Sequence, residues 1–381
     1  MVKRWNNQLI WKYLPLAITG FYDYHIKVHL DKILPPRSLI FPVTYRCNAR
    51  CLMCNIWEKD RGQEMSLEDL ERAFSDNLFR KIQNVNITGG EPTLRKDLNQ
   101  IVGLIIDKMP ELRKITLTSN GLNTDRVVNS SAEISEICSK NDIDFLVGIS
   151  LDGVGEVHDE IRNSPRAFER TSETILRIQE LQRLRHNNMR LSVNCTITRK
   201  NLYDLENVID WCDRYGVHVN FIIAEFSENF YLNKDMEEQL RIKGEDKAYF
   251  MNFLERLAGE KFLFNFSAYF HSDMLEMMKN GKARAVPCIY GFDGFAFDIY
   301  GDLYYCILWD KIGNCLDKSC SSIYYDPGNI RNRKNLLREK CAKCTTSCML
   351  EIVIGKELIK YLKFLLFHHN MRKSTVWKKW T

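Results

Sequence analysis

The amino-acid sequence predicts an α/β fold: a partial (β/α)6 barrel of parallel strands, followed by a small C-terminal α+β domain built around a β-hairpin. Three observations carry this. Between residues 38 and 230, six apolar-patterned strands alternate with helical segments, the order expected of a parallel sheet with helices outside it. In five of those strands the polar residues keep to one face. A separate stretch, 286–350, combines alternating residues around a Gly-Asp turn with a high density of cysteine.

The strands are expected at 39–45, 84–90, 114–121, 144–153, 190–198 and 217–224. Helical patterns run over 66–74, 97–109, 131–140, 168–184 and 204–216, with Ser66 suited to cap the first. Strands buried on both faces read as continuous apolar runs. The second to sixth do not. Asn84, Asn86 and Thr88 share one face of the second strand, and Val85 and Ile87 the other. Thr116, Thr118 and Asn120 repeat this in the third, and Ser150 and Asp152 align with Gly148 in the fourth. Ser192, Asn194, Thr196 and Thr198 share a face of the fifth, and His218 and Asn220 a face of the sixth. Period two puts each set on one side of its strand. The apolar faces must meet the helices, so the polar faces line the interior. A closed eight-stranded barrel fills its interior with bulky side chains. A partly open six-stranded barrel with this lining suits a polar ligand instead.

The 381 residues, 45% of them apolar, allow several domains and a large core. Boundaries are expected to give an N-terminal helical extension (1–37), the barrel (38–230), a helical linker completing it (231–285), the hairpin domain (286–350) and a basic tail (351–381). The formal charge of +5 is small for this length, and no nucleic-acid partner is expected. No apolar run approaches the roughly 20 residues that span a bilayer. Segments 9–22 and 357–380 mix aromatics, leucines and lysines. The second reads as a helix packed on the body with a solvated basic face, or as a basic amphipathic helix in peripheral contact with an anionic membrane.

Thirteen cysteines are unevenly spread: three at 47–54, seven between 288 and 348, and Cys138, Cys195 and Cys212 apart. A secreted disulfide scaffold is normally short and cysteine-dense throughout, and the N-terminus lacks the usual signal-peptide build. Clusters within a long chain read as metal sites in a reducing compartment, so a cytoplasmic location is expected. Cys195 falls between Asn194 and Thr196 and points outward with Val193 and Ile197. It and the two helix-borne cysteines, Cys138 and Cys212, are expected in the core.

Cys47, Cys51 and Cys54 come directly after the first strand, and the next histidine in the chain is His158. A structural zinc normally takes four ligands. Three thiolates on a four-iron cubane leave one iron open to a small molecule. The stretch 88–95, TGGEPTLR, ends the second strand with Gly89, Gly90 and Glu91. The glycines free a backbone edge for close approach, and Glu91 supplies a carboxylate. SNG (119–121) and SLDG (150–153) end the next two strands. Ligands bind at the carboxyl ends of parallel strands, so four strand ends converge on one mouth.

With these residues in place, the chain resembles the radical S-adenosylmethionine (SAM) superfamily. Cys47-x3-Cys51-x2-Cys54 matches its cluster motif, with Met53 where an aromatic is common, and Gly89-Gly90-Glu91-Pro92 matches its GGE motif. The match covers about 40–225. The resemblance implies that the three thiolates hold a [4Fe-4S] cluster whose open iron chelates SAM. It also implies that the Gly89–Glu91 edge meets the methionine amino group, and that Ser119, Asn120, Ser150 and Asp152 serve the carboxylate or ribose. Asn194 and Thr196 are further candidates. One electron then cleaves SAM, and the 5′-deoxyadenosyl radical takes a hydrogen atom from substrate. The cofactor carries the hard chemistry, and the protein positions the target bond. An external one-electron reductant such as flavodoxin or ferredoxin is implied.

The later cysteines run Cys288-x12-Gly301-x4-Cys306, then Cys315 and Cys320, then Cys341-x2-Cys344-x3-Cys348. FAFDIYGDLYYC (295–306) reads as a hairpin. A paired group plus a distant one is how a chain folds around a second metal. This part resembles the SPASM or twitch type of auxiliary cluster domain, with one gap of the full pattern missing. The preferred reading is one auxiliary [4Fe-4S] cluster on Cys288, Cys306, Cys341 and Cys344, with Cys348 able to replace one of them. Cys315, Cys320 and Cys348 serve a second cluster in the alternative. A four-thiolate zinc stays open, since spacing does not separate the two metals.

The favoured substrate is a carbohydrate-type or nucleotide-linked small molecule, oxidised or epimerised. Peptide maturation and a lipid-linked substrate are the alternatives. Only 46 residues precede Cys47, so a leader-binding module is not expected there, and a peptide maturase of this build would need a separate leader-binding partner. Arg162, His158, Asp159 and Tyr290 are candidates for a substrate acid or base, although each is an ordinary surface or loop residue type.

Overall fold

A computed structural model describes residues 22, 33–60, 62–185, 189–259, 266–286, 288–346, 360, 361, 363 and 364. The chain divides into two compact units, one of residues 35–243 and 293–334, the other of 1–34, 244–292 and 335–381.

The first unit carries the repeating strand and helix order. It runs β1 (Ser38–Thr44), α1 (Leu67–Phe74), β2 (Asn84–Gly89), α2 (Leu98–Lys108), β3 (Lys114–Ser119) and α3 (Thr124–Lys140). It continues with β4 (Asp144–Ser150), α4 (Glu156–Arg162), α5 (Ala167–Arg185), β5 (Met189–Ile197), α6 (Leu205–Tyr215) and β6 (His218–Ile223). Three short strands complete it: β7 (Gly294–Phe297), β8 (Asp302–Tyr304) and β9 (Gly313–Asn314). All nine form one sheet in the order β6-β5-β4-β3-β2-β1-β7-β8-β9. Strands β1 to β6 pair in parallel, as a partial barrel requires. The carboxyl ends of β1 to β4 therefore share one edge.

The expected alternation is present. Asn84, Asn86 and Thr88 are half-buried, while Val85 and Ile87 are sealed. Thr116 and Thr118 repeat this beside Ile115 and Leu117. On the inner face Thr118 donates to Asn86 at 3.4 Å and Asn220 to Asn194 at 3.3 Å. Strand β1 departs from the pattern and is buried along its whole length. It has a strand on each side, β2 and β7. Phe41 meets Phe74 at 5.4 Å and stacks on Phe297 at 5.8 Å, and Phe79 meets Phe295 at 5.5 Å. Each sealed ring contributes roughly 1.5–3 kcal/mol. This apolar seam draws the 295–306 hairpin, present as β7 and β8, into the barrel sheet through a parallel pairing with β1.

Some boundaries differ from those the pattern suggests. Helix α3 begins at Thr124 rather than 131, because the Asn123 side chain accepts from Arg126 N and caps it. Helix α4 has no counterpart in the expected set. It is a single short helix that ends where Asn163 takes φ 48°. Strands β3 and β4 stop at Ser119 and Ser150, two and three residues early, where the chain turns into the mouth. Cys138, Cys195 and Cys212 are buried in the core, as expected.

The second unit contains helices Asp246–Gly259 and Phe266–Asn280 packed together. Tyr269 meets Tyr361 at 5.7 Å and Phe364 at 5.3 Å. Both partners are buried, so these residues of the C-terminal segment pack as a helix against the unit's own body. Segment 9–22, except Tyr22, and most of 357–380 lie outside the described residues. Among the described residues no helix is long and apolar enough to cross a membrane.

Candidate active site

The backbone after β1 carries the three cysteines and is tied down on two sides. Leu52 N donates to Ile161 O at 2.9 Å, and Asn55 N to Tyr231 O at 2.8 Å. Asn233 Nδ2 donates to Met53 O at 2.6 Å. Within the loop, the Arg50 guanidinium lies 4.3 Å over the Trp57 ring and donates to Cys47 O at 2.8 Å.

The end of β2 is laid directly on this loop. Gly90 N donates to Thr44 O and Glu91 N to Arg46 O, each at 2.8 Å. Gly89 has φ +133°, where side chains are strained, and a Cβ on it would meet the Thr44 carbonyl oxygen. A Cβ on Gly90 would meet the Arg46 carbonyl oxygen. Two glycines are what allow one backbone to lie on the other.

Glu91 is 1% exposed. Its carboxylate accepts from Asn120 N at 2.8 Å, Thr93 Oγ1 at 2.7 Å, Thr93 N at 3.2 Å and Ser119 Oγ at 3.0 Å. Burial pushes its pKa up, and these donors oppose that. Glu91 and Ser119 thus lock β2 to β3 and shape the mouth from beneath. Asn120 reaches the cysteine loop: its Nδ2 donates to Asn48 Oδ1 at 2.8 Å and lies 3.8 Å from Cys47 Sγ.

Asp152 is wholly buried. Its Oδ1 accepts from Thr196 N at 2.7 Å, and Oδ2 lies 2.6 Å from Arg162 Nη2. Arg162 Nη1 donates in turn to Cys51 Sγ at 3.6 Å. Arg162 Nε is buried without a hydrogen-bond partner among the described residues. Ser150, Asn194 and Thr196 are half-buried on the inner strand faces, with Ser150 opposite Asn194 in register.

Two acid or base candidates are committed elsewhere. His158 is sealed, and its Nδ1 accepts from Asp152 N at 3.0 Å while Nε2 meets Thr171 Oγ1 at 3.3 Å. Burial pushes its pKa well below the usual histidine range. Asp159 caps the start of α5, accepting from Phe168 N and Arg166 N at 2.8 Å. His158 is not open to a substrate, and both carboxylate oxygens of Asp159 are taken up by backbone donors. Tyr290 is buried in the second unit. Arg162 is the residue whose role the pattern misjudged. Its signal was the spacing from Asp152, one strand-to-helix connection away.

Cys47, Cys51 and Cys54 are free and half-buried by residue. Burial, reinforced by their mutual repulsion, pushes Cys47 up to about 11 and Cys54 up to about 12. The Cys47 and Cys54 thiols therefore keep their protons, and metal uptake releases them. Among the described residues no three His, Cys, Asp or Glu side chains close on a single ion. A cubane holds its thiolates farther apart than one ion does. Three free thiols on one loop, with nitrogen donors near two of the sulfurs, fit a [4Fe-4S] cluster.

Cys288, Cys341 and Cys344 belong to the second unit. Arg284 gathers their segments: its N donates to Ala342 O and its Nη1 to Thr346 O, each at 2.9 Å. Cys306 comes after β8 in the first unit, and Cys348 lies outside the described residues. Cys315 and Cys320 lie close together in the first unit.

The profile described as "Radical SAM superfamily" matches residues 41–212. That range takes in the end of β1, the cysteine loop, the Gly89–Glu91 edge and β2 to β5. Residues 41–212 form a radical SAM domain. Such domains bind a [4Fe-4S] cluster and SAM. The chain is 25% identical over 227 residues to the sporulation killing factor maturation protein SkfB of Bacillus subtilis, covering 58% of this chain and 51% of that one. It is 34% identical over 139 residues to a probable GTP 3′,8-cyclase of Archaeoglobus fulgidus, covering 35% and 45%. The chain thus spans about half the length of these curated relatives. In fold it is similar to anSMEcpe with bound AdoMet, with TM-score 0.57, 18% identity, and 88% and 100% of the two chains covered. Streptococcus suis SuiB bound to precursor peptide SuiA gives TM-score 0.53 and 17% identity, covering 81% and 70%. At this level of identity both likenesses concern the fold alone.

Proposed function

We propose that the radical SAM domain cleaves SAM reductively and directs the resulting radical at a polar small molecule of carbohydrate or nucleotide-linked type, oxidising or epimerising it. The observation that carries the first half is the three-cysteine loop seated on the Gly89–Gly90 edge. Cys47, Cys51 and Cys54 would hold the cluster, which supplies the electron that breaks the sulfonium bond. The Gly89–Gly90 backbone edge would take the methionine amino group. Ser150, Asn194 and Thr196, half-buried on the inner face, would take the carboxylate or ribose with Asn120. Glu91, Ser119 and Asp152 would support that surface, since their side chains are committed to neighbours.

The half-buried inner strip of Asn86, Thr116, Thr118, Asn194 and Asn220 supports a polar substrate. Peptide maturation is the second reading, favoured by the similarity to SkfB. An auxiliary cluster among the later cysteines, and a flavodoxin- or ferredoxin-type reductant, belong to both readings. A lipid-linked substrate rests on the terminal segments alone.

The test is anaerobic reconstitution with iron and sulfide, then addition of dithionite and SAM. 5′-Deoxyadenosine should form, and not form in Cys47→Ala. Equal traces from both proteins would reject the reading. Iron near about eight per chain supports the auxiliary cluster, and about four rejects it. Sugar nucleotides and aminocyclitols should stimulate turnover. Stimulation by short cysteine-containing peptides alone would favour maturation.

A further inference from the structure

Arg162 ends α4 as a buried cation, 6% exposed, between a wholly buried carboxylate and a cysteine sulfur. Asp152 is not free to move with it. Its Oδ1 accepts from Thr196 N at 2.7 Å, its N–H donates to His158 Nδ1 at 3.0 Å, and its carbonyl accepts from Asn201 Nδ2 at 2.7 Å. A second tether runs through the main chain. Leu52 N, next to Cys51, donates at 2.9 Å to the carbonyl of Ile161, next to Arg162. Residue 162 is thus held against residue 51 by one side-chain link and one backbone link. A buried arginine needs a counter-charge, which explains Asp152. That need does not explain why the other arm of the guanidinium, Nη1, points at Cys51 Sγ, 3.6 Å away.

We propose that Arg162 is a positioning residue for the [4Fe-4S] cluster and sets its reduction potential, with Asp152 aiming the guanidinium at Cys51. The inference rests on the radical SAM reading of Cys47, Cys51 and Cys54. A cation beside the cluster and an N–H···S bond both favour the form that carries one more electron. They raise the potential and ease the electron transfer that must precede SAM cleavage. A guanidinium suits this because its fork reaches carboxylate and sulfur together.

The experiment is a redox titration monitored by electron paramagnetic resonance on the reconstituted full chain without substrate. It compares wild type, Arg162→Lys, Arg162→Gln and the double variant Arg162→Gln/Asp152→Asn. The double variant avoids leaving Asp152 as an unpaired buried charge. The auxiliary signal, where present, serves as an internal reference. Arg162→Gln and the double variant should show a lower midpoint for the SAM-responsive cluster at unchanged iron and sulfide. Arg162→Lys keeps the charge and should lie between them and wild type. Variants that hold a full cluster at the wild-type potential, or a higher one, overturn the inference alone. Folded variants that all fail to take up the cluster overturn it too, by making Arg162 an assembly residue. A wild-type chain without any cluster overturns both the inference and the radical SAM reading.

Discussion

Tyr45 donates its phenolic hydrogen to Asp298 Oδ2 at 2.8 Å, across 253 residues of chain. Tyr45 lies two residues before Cys47, and Asp298 sits in the turn between β7 and β8. Asp298 also accepts from Tyr304 Oη at 3.3 Å and from Tyr300 N and Asp302 N at 2.9 and 3.0 Å. Tyr304 lies two residues before Cys306. One buried carboxylate therefore joins the strand that launches the first cysteine loop to the hairpin that delivers Cys306. Lys59 Nζ sits 4.7 Å from the Tyr45 ring and 5.6 Å from that of Tyr304, adding a cation to the same group of rings.

Tyr45→Phe should isolate the hydroxyl, since the ring can keep its stack on Tyr300 at 5.7 Å. Removing one donor to a buried carboxyl is expected to cost about 1–3 kcal/mol. Urea unfolding should show a lower midpoint with the slope kept. An unchanged midpoint would mean that Asp298 finds a replacement donor.

Gly90→Ala should be worse than a typical glycine substitution, because the new methyl meets the Arg46 carbonyl oxygen. Overpacking of this kind costs about 1–3 kcal/mol. The strain falls on the residue preceding Cys47, so iron uptake should fall with stability. Gly103→Ala, with nothing within 4 Å of the added methyl, is the matched control. Thermal melts and iron content of the two variants check this.

Glu91→Gln keeps shape but turns an amide N–H₂ toward donors. Four donor groups converge on the Glu91 carboxylate, so at least one buried donor loses its acceptor. The expected loss is about 1–3 kcal/mol. The effect on 5′-deoxyadenosine formation should exceed that of Glu68→Gln on the exposed side of α1. Similar behaviour of the two variants would remove Glu91 from the support of the site.

His271 predicts a pH dependence in the second unit. Burial pushes its imidazole down to about 4, against about 6.5 in an unfolded chain. Between those values the unfolded chain binds a proton that the folded one excludes. Stability therefore rises with pH through this window. The contribution is complete above about pH 6.5 and lost as pH falls toward 4, about 3 kcal/mol in all. Amide exchange in 266–280 should accelerate over this range, after correction for intrinsic rates, and His271→Leu should flatten the response.

The spacing of Cys47, Cys51 and Cys54, the Gly89–Glu91 motif and the period-two strands were legible because each is a local pattern. Thiol spacing constrains a loop, and alternation constrains which side of a strand meets water. Those features were enough for the radical SAM family and for the partial barrel. The boundaries of α3 and β4 were less legible, since a cap or a turn into the site outweighs pattern by a few residues.

Only the tertiary structure decided who touches whom. Arg162 and Cys51 are 111 positions apart, and no periodicity relates a helix end to a loop after a different strand. The same holds for the parallel pairing of β7 with β1, which depends on an aromatic seam built from Phe41, Phe74, Phe79 and Phe297. A sequence records which side chains seek burial or charge. Which of them meet is settled by packing, where most buried polar groups have to find partners at once.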